Sequence, residues 1–174
     1  MNLSVVGFGV RCRVSYGGRG EERWGGKRMN EKELQFILQE GEGLKIEFKE
    51  NFDAKHTAKE VVALANSSGG RIFLGVTDKG EVKGVVITNK LKSEIQDMAR
   101  NCEPSIKISL EVVKFKGKDV LMVIVPEGEN KPYLCSGGFF LRQGANSQKL
   151  SRDEILNFAV YEGKIKFDTQ LNKK

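Results

Sequence analysis

The sequence predicts an α+β domain: a mixed, mostly antiparallel sheet with hairpins, covered by three to four helices in a two-layer sandwich. Three features lead there. Apolar residues recur at helical spacing behind capping residues, one short stretch alternates strictly, and β-rich runs are joined by glycine-bearing turns. The 174 residues suffice for one core, since a fold of that size hides roughly two thirds of the surface of its unfolded chain.

Asn30 and Glu33 form a capping box, and Leu34, Ile37 and Leu38 make one apolar face of a helix that Gly41 stops. In Lys45-Ile46-Glu47-Phe48-Lys49 the alternation sends Ile46 and Phe48 to the core and turns Glu47 and Lys49 together to the opposite face. Thr57 and Glu60 offer a second box, followed by Val61, Val62, Leu64 and Ala65 and ended by Asn66-Ser67-Ser68-Gly69-Gly70. Arg71 to Thr77 is a buried strand, and Asp78-Lys79-Gly80 turns it into a hairpin with a shorter strand over Glu81 to Val86. Leu91, Ile95, Met98, Ala99 and Cys102 mark a third helix, with Pro104 beyond its end. Ile106 to Phe115 and Asp119 to Val125 form a hairpin around Lys116-Gly117-Lys118, and Tyr133 to Cys135 and Phe139 to Arg142 form another around Ser136-Gly137-Gly138. Ser151 and Glu154 box the start of a last helix, with Ile155, Leu156 and Phe158 directed inward.

Three regions follow: a Gly/Arg-rich leader over 1–29, the folded domain over 30–161 and a polar tail over 162–174. The net charge of +6 is mostly local. Arg11, Arg13, Arg19, Arg23, Lys27 and Arg28 face only Glu21 and Glu22 within the leader, so the body is only mildly basic. No apolar run approaches the roughly 20 residues of a spanning helix, which excludes a helical membrane protein. Cys12, Cys102 and Cys135 are odd in number and lack a C-x-x-C pair, so neither a disulfide framework nor zinc is expected, and a reducing cytoplasmic setting fits. Gly7-Phe8-Gly9 lacks the third glycine of a dinucleotide fingerprint, and Gly69-Gly70 lacks the Lys-Ser or Lys-Thr of a P-loop and leads into a strand, so no ATP is expected.

Glu42-Gly43-Leu44-Lys45-Ile46-Glu47-Phe48-Lys49, then Asn66-Ser67-Ser68-Gly69-Gly70-Arg71-Ile72-Phe73-Leu74-Gly75-Val76-Thr77-Asp78, then Gly84-Val85, Lys131-Pro132-Tyr133 and Phe140-Leu141-Arg142-Gln143-Gly144, resemble the AlbA-like domain of the Schlafen family from about Glu40 to Phe158. The resemblance implies nucleic-acid binding, with RNA favoured over DNA. In ribonuclease members of the family an acidic site cuts structured RNA, and by motif position it falls on Glu42, Glu47 and Asp78. Three converging carboxylates repel, and a hard cation such as Mg²⁺ or Mn²⁺ relieves that repulsion and activates water. The family's cleft uses two lobes and this chain resembles one, so a homodimer would rebuild the groove.

Residue chemistry keeps plainer readings beside these. Glu47 and Lys49 suit the solvated face of an edge strand, Asp78 suits a turn, and Glu42 suits a polar loop. Lys49, Arg71, Lys79, Lys83, Lys131, Arg142 and Lys149 are the candidate phosphate contacts, chosen at strand ends and turns near the acids; ordinary solvated charge is their alternative. With aromatics at 8% and no aromatic-basic interleaving, shape and phosphate contact are favoured over base stacking. Three functions remain open: a metal-dependent endoribonuclease, a non-catalytic DNA- or RNA-binding regulator, and a protein-interaction module. His56, the single histidine, has no nucleophile paired with it by any motif and is expected at a helix entry; Cys102 and Cys135 are expected as buried small hydrophobes.

Overall fold

The structure, a computed structural model, describes residues 28–163. The elements in order are α1 (Glu31–Glu40), β1 (Ile46–Lys49), α2 (Ala54–Asn66), β2 (Gly70–Leu74), α3 (Asn89–Arg100), β3 (Ser109–Phe115), β4 (Lys118–Val125), β5 (Leu134–Cys135), β6 (Gly138–Gln143), β7 (Asn146–Lys149) and α4 (Arg152–Tyr161). They make the expected α+β architecture. A four-stranded sheet runs β1-β2-β4-β3, and a separate three-stranded sheet runs β5-β6-β7. Only the β1–β2 pair is parallel; the others are antiparallel.

Both faces of the larger sheet are covered. Phe73 of β2 and Val120 and Met122 of β4 meet Leu34 of α1 on one side, with Phe48 of β1. Ile72, Leu74, Leu121, Val123 and Val125 meet α2 and α3 on the other. This double cover explains why β2 and β4 are apolar at nearly every position, while β1 alternates. Full burial of each such side chain contributes about 1.5–3 kcal/mol.

The capping boxes of α1 and α4 form as expected, Asn30 with Glu33 and Ser151 with Glu154. α2 starts earlier than expected, because Asp53 accepts the His56 N–H and takes the N-cap position. Thr57, the expected cap, is instead wholly buried in the first turn. The strand expected over Glu81 to Val86 is reduced to one bridge, Val76 with Val82. Both edges of β2 are already occupied by β1 and β4, so no ladder position is left for a hairpin partner. Strand β7 was not expected, since Asn146-Ser147-Gln148-Lys149 has no apolar alternation; pairing with β6 creates it. In α4, Leu156 faces solvent at 49% exposure and Ala159 is buried in its stead.

The leader and tail expectations fall almost wholly on 1–27 and 164–174, outside the described residues. Met29, assigned to the leader, packs against the α1 side of the sheet and donates its N–H to Glu111 at 2.7 Å. Among the described residues, no helix is long and apolar enough to cross a membrane.

Candidate nucleic-acid interface

Parallel pairing brings the C-terminal ends of β1 and β2 to one rim of the sheet. The backbone N–H groups of Gly75 and Val76 both donate to the Lys49 carbonyl, at 2.8 and 3.2 Å. The chain then turns at Thr77–Gly80, closed by the Gly80 N–H on Thr77 O at 2.8 Å. Gly80 has φ +78°, and a Cβ there would lie 2.8 Å from Leu38 O at the end of α1. This close approach presses the turn that carries Asp78 and Lys79 against the segment leading to Glu42.

Glu42 accepts the Phe48 N–H at 2.9 Å. Its carboxyl is held above the ordinary range, first by burial, against the Phe48 hydrogen bond, then by the Glu47 charge, with Lys49 opposing and Asp78 adding to the rise. Glu42, Glu47, Lys49 and Asp78 therefore share one electrostatic neighbourhood. Burial alone pulls the Lys49 ammonium down, but its hydrogen bond to Glu47 and the fields of Glu47, Glu60 and Glu42 outweigh that and raise it.

Glu47 and Lys49 do share a face, as the alternation requires, but that face is not solvated at Glu47, which is 4% exposed. Lys49 Nζ lies 2.5 Å from Glu47 Oε1. Arg142 reaches from β6 with a fully buried side chain, 2.6 Å from Glu47 Oε2 and 2.9 Å from Glu60 Oε2. Its Nη2 hydrogens go to the carbonyls of Gly43 and Ile46, each at 2.9 Å. The contact with Glu47 is thus coulombic, and Glu47 Oε2 is buried with no hydrogen-bond donor among the described residues. Ser147 completes the group by donating to Glu60 at 2.5 Å. Two carboxylates and two cations cancel in a site where an unpaired charge would be costly.

Much of the sequence signature serves this seam between the two sheets. Asn66, at the end of α2, donates to Tyr133 O and Phe140 O at 2.9 Å each and accepts the Tyr133 N–H. Ser67 accepts the Arg142 N–H, and its carbonyl accepts from Lys131 Nζ at 2.9 Å. Gly69, at φ +68°, has no room for a Cβ, which would meet the Glu127 nitrogen at 2.6 Å. Glu60 and Ser147 are the seam residues that sequence reasoning missed, since nothing local distinguishes them from a helical glutamate and a loop serine; Asn66 stands in a quoted motif, but its role in the seam is not legible there.

The expected phosphate contacts therefore divide. Lys79, Lys83 and Lys149 are exposed, with Lys83 3.3 Å from Glu81. Lys49 is partly exposed, its side chain at 26%. Arg71 is half-buried, and its ladder partner Ile46 belongs to the α1 side of the sheet, opposite Glu47. Arg142 and Lys131 are corrections: the first has all its polar contacts inside the protein, and the second is spent on Ser67 O and Glu127 at 2.8 Å. Both hold the seam rather than face solvent.

Among the described residues, no three His, Cys, Asp or Glu side chains gather as a group able to hold a metal ion. Glu47 is buried and already neutralised while Asp78 is exposed on its turn, so Glu42, Glu47 and Asp78 as arranged do not fit Mg²⁺ or Mn²⁺. His56 stands at the exposed entry of α2 with Nδ1 2.9 Å from Asp53. Cys102 and Cys135 are buried free thiols. Burial, with the nearby Cys135 adding to it, pushes the Cys102 thiol up to about 12, so it acts as a small hydrophobe.

A family model described as Schlafen, AlbA_2 matches residues 42–151. No curated protein matches the chain. Among solved structures, the chain is similar to the DIP2311 protein from Corynebacterium diphtheriae, at 19% identity and TM-score 0.53 over 68% of this chain and 24% of that one. It thus spans about a quarter of that protein's length. It is also similar to the N-terminal domain of a protein described as related to the ATP-dependent DNA helicase RecG from Nitrosomonas europaea, at 22% identity and TM-score 0.51, over 84% of this chain and 99% of that domain. At these identities the likeness shows a shared fold.

Proposed function

Because the chain belongs to the Schlafen family through its AlbA_2 domain, we propose that it binds nucleic acid, RNA in preference to DNA, across the rim where β1 and β2 end. The observation that carries this reading is the match over residues 42–151, which takes in the whole rim and the seam behind it. The rim mixes signs: Lys79 is exposed to phosphates and Lys49, though paired with Glu47, is partly exposed beside it, while Glu42 and Asp78 would repel them. Carboxylates accept hydrogen bonds from ribose 2′-hydroxyls, which DNA lacks. A rim of lysines and carboxylates therefore suits the sugar edge of an RNA helix better than a purely phosphate-lined face.

The test is fluorescence anisotropy with an RNA hairpin and a DNA duplex of the same sequence, over a series of salt concentrations. RNA is expected to bind more tightly, with affinity falling as salt rises because each neutralised phosphate releases counterions. Lys79→Ala is expected to weaken binding and flatten that slope. Absence of RNA binding at low salt overturns the proposal. Equal affinity for the duplex would favour a DNA-binding regulator, and light scattering during the titration reports whether a homodimer forms on the nucleic acid.

The alternative, metal-dependent cleavage of structured RNA such as tRNA through Glu42, Glu47 and Asp78, has one observation in its favour: the other two acids both raise the Glu42 carboxyl. The burial and neutralisation of Glu47 stand against it. Incubation of the protein with tRNA and Mn²⁺ decides, with Glu42→Gln as the control. Glu47→Ala is unsuitable because it leaves Lys49 and Arg142 with Glu60 as their one remaining acid in the seam. Cleavage no greater than that of the control removes the enzyme reading.

A further inference from the structure

Beside the Thr77–Gly80 turn, a groove opens between α1, residues 80–82 and the β3–β4 turn. Its cavity volume is about 400 Å³, within the roughly 300–1,000 Å³ typical of small-molecule sites. Leu38, Val82 and Phe115 give it an apolar wall, and Gln35 and Gln39 line it one helical turn apart with exposed amides. Lys116 and Lys118 complete its lining. The one acid in the lining, Glu81, has Lys83 3.3 Å away, so the excess charge is positive.

The two lining lysines are held in place. Lys118 Nζ donates to Val82 O at 3.0 Å, and the Lys116 ammonium lies over the Phe115 ring, 5.4 Å from its centroid. The Lys116 N–H donates to Glu31 at 3.0 Å, tying the turn to the start of α1. Lys116 and Gly117 both have positive φ, +46° and +76°, as a two-residue type I′ hairpin requires. Asparagine is the residue that turn prefers at its first position, and a lysine there is strained. Among the described residues no other non-glycine residue has a positive φ. A strained residue that the turn itself does not need points to a role for its side chain.

We propose that this groove takes one unpaired nucleotide of the bound RNA. The base lies on the apolar wall, its edge meets the Gln35 and Gln39 amides, and its phosphate sits between Lys116 and Lys118. A flat apolar surface, amides and paired cations are what recognition of an unstacked nucleotide needs. The groove shares Gly80 with the turn that carries Asp78 and Lys79, so a strand leaving the rim can enter it. This inference rests on the RNA-binding reading and names which part of the RNA is read.

The experiment compares, at one salt concentration, a blunt RNA hairpin with the same hairpin carrying an unpaired 3′ extension. The extended hairpin is expected to bind about tenfold more tightly, the contribution of roughly one recognised base. Lys116→Asn combined with Gln39→Ala is expected to abolish that difference while the blunt hairpin binds as before. The double variant is expected to melt no lower than the parent, because asparagine relieves the turn and Gln39 is exposed, so a lost difference cannot be blamed on unfolding. Equal binding of both hairpins by the parent, or a difference that survives in the double variant, overturns the nucleotide pocket and leaves the RNA-binding reading standing. Failure of both hairpins to bind overturns the two together.

Discussion

Glu42 shows how a single side chain can carry more information than its neighbours suggest. In sequence it is a polar residue after a helix-stopping glycine. In the fold, burial and the nearby Glu47 and Asp78 charges outweigh the Phe48 N–H and Lys49, so the carboxyl holds its proton to higher pH than the ordinary 4.5. A folded-state value above the unfolded one means the native chain binds more protons across that interval, so this group makes stability fall as pH rises through it. The burden is absent below about pH 4.5 and complete above the raised value. Glu42→Gln keeps an oxygen for the Phe48 N–H and removes the charge. It is therefore expected to melt higher than the parent at neutral pH, with the gap closing as pH falls below 4.5. A gap that is the same at every pH would show that charge is not its source.

At the scale of elements, Arg142 is the tie. It joins β6 to the edge strand β1 through the carbonyls of Gly43 and Ile46, and to α2 through Glu60. By covering β1 it also protects an edge that would otherwise offer unpaired backbone to another chain. Arg142→Met removes the guanidinium but leaves Glu47 and Glu60 buried without it. Breaking a buried pair in this way costs about 3–5 kcal/mol, to be read as a lowered urea midpoint. Adding Glu47→Gln and Glu60→Gln is expected to restore part of the loss, because the stranded charges go with them. Asn66, Ser67 and Lys131 belong to the same seam. The residues that carry the family signature thus include many that fasten one sheet to the other, and fewer are left to meet a ligand.

For the molecule as a whole, stability is graded outward from β2 and β4. Each has a strand on both sides, and both faces are buried, by α1 on one and by α2 with α3 on the other. Their amides are expected to exchange with solvent most slowly, near the global unfolding limit, with β7 and α4 opening first. Amide exchange followed by mass spectrometry checks the order; protection of β7 equal to that of β4 would mean that the small sheet does not open independently of the large one.

Elements whose causes are local could be read directly from the chain. The boxes at Asn30 and Ser151, the strand pattern of Ile46 to Lys49 and the apolar runs of β2 and β4 all arise within a few residues, and the spaced motifs carried the family. What that pattern could not reach was settled by contacts between distant segments. β2 had no free edge for the Glu81–Val86 strand, and β6 supplied the partner that made polar Asn146–Lys149 a strand. Glu47 and Lys49 did turn to one face, but Arg142 came to meet Glu47 there and Glu60, 82 residues before it in the chain, shared the charge. Alternation fixes which way a side chain points, while the burial and charge of what lies in that direction depend on distant parts of the chain.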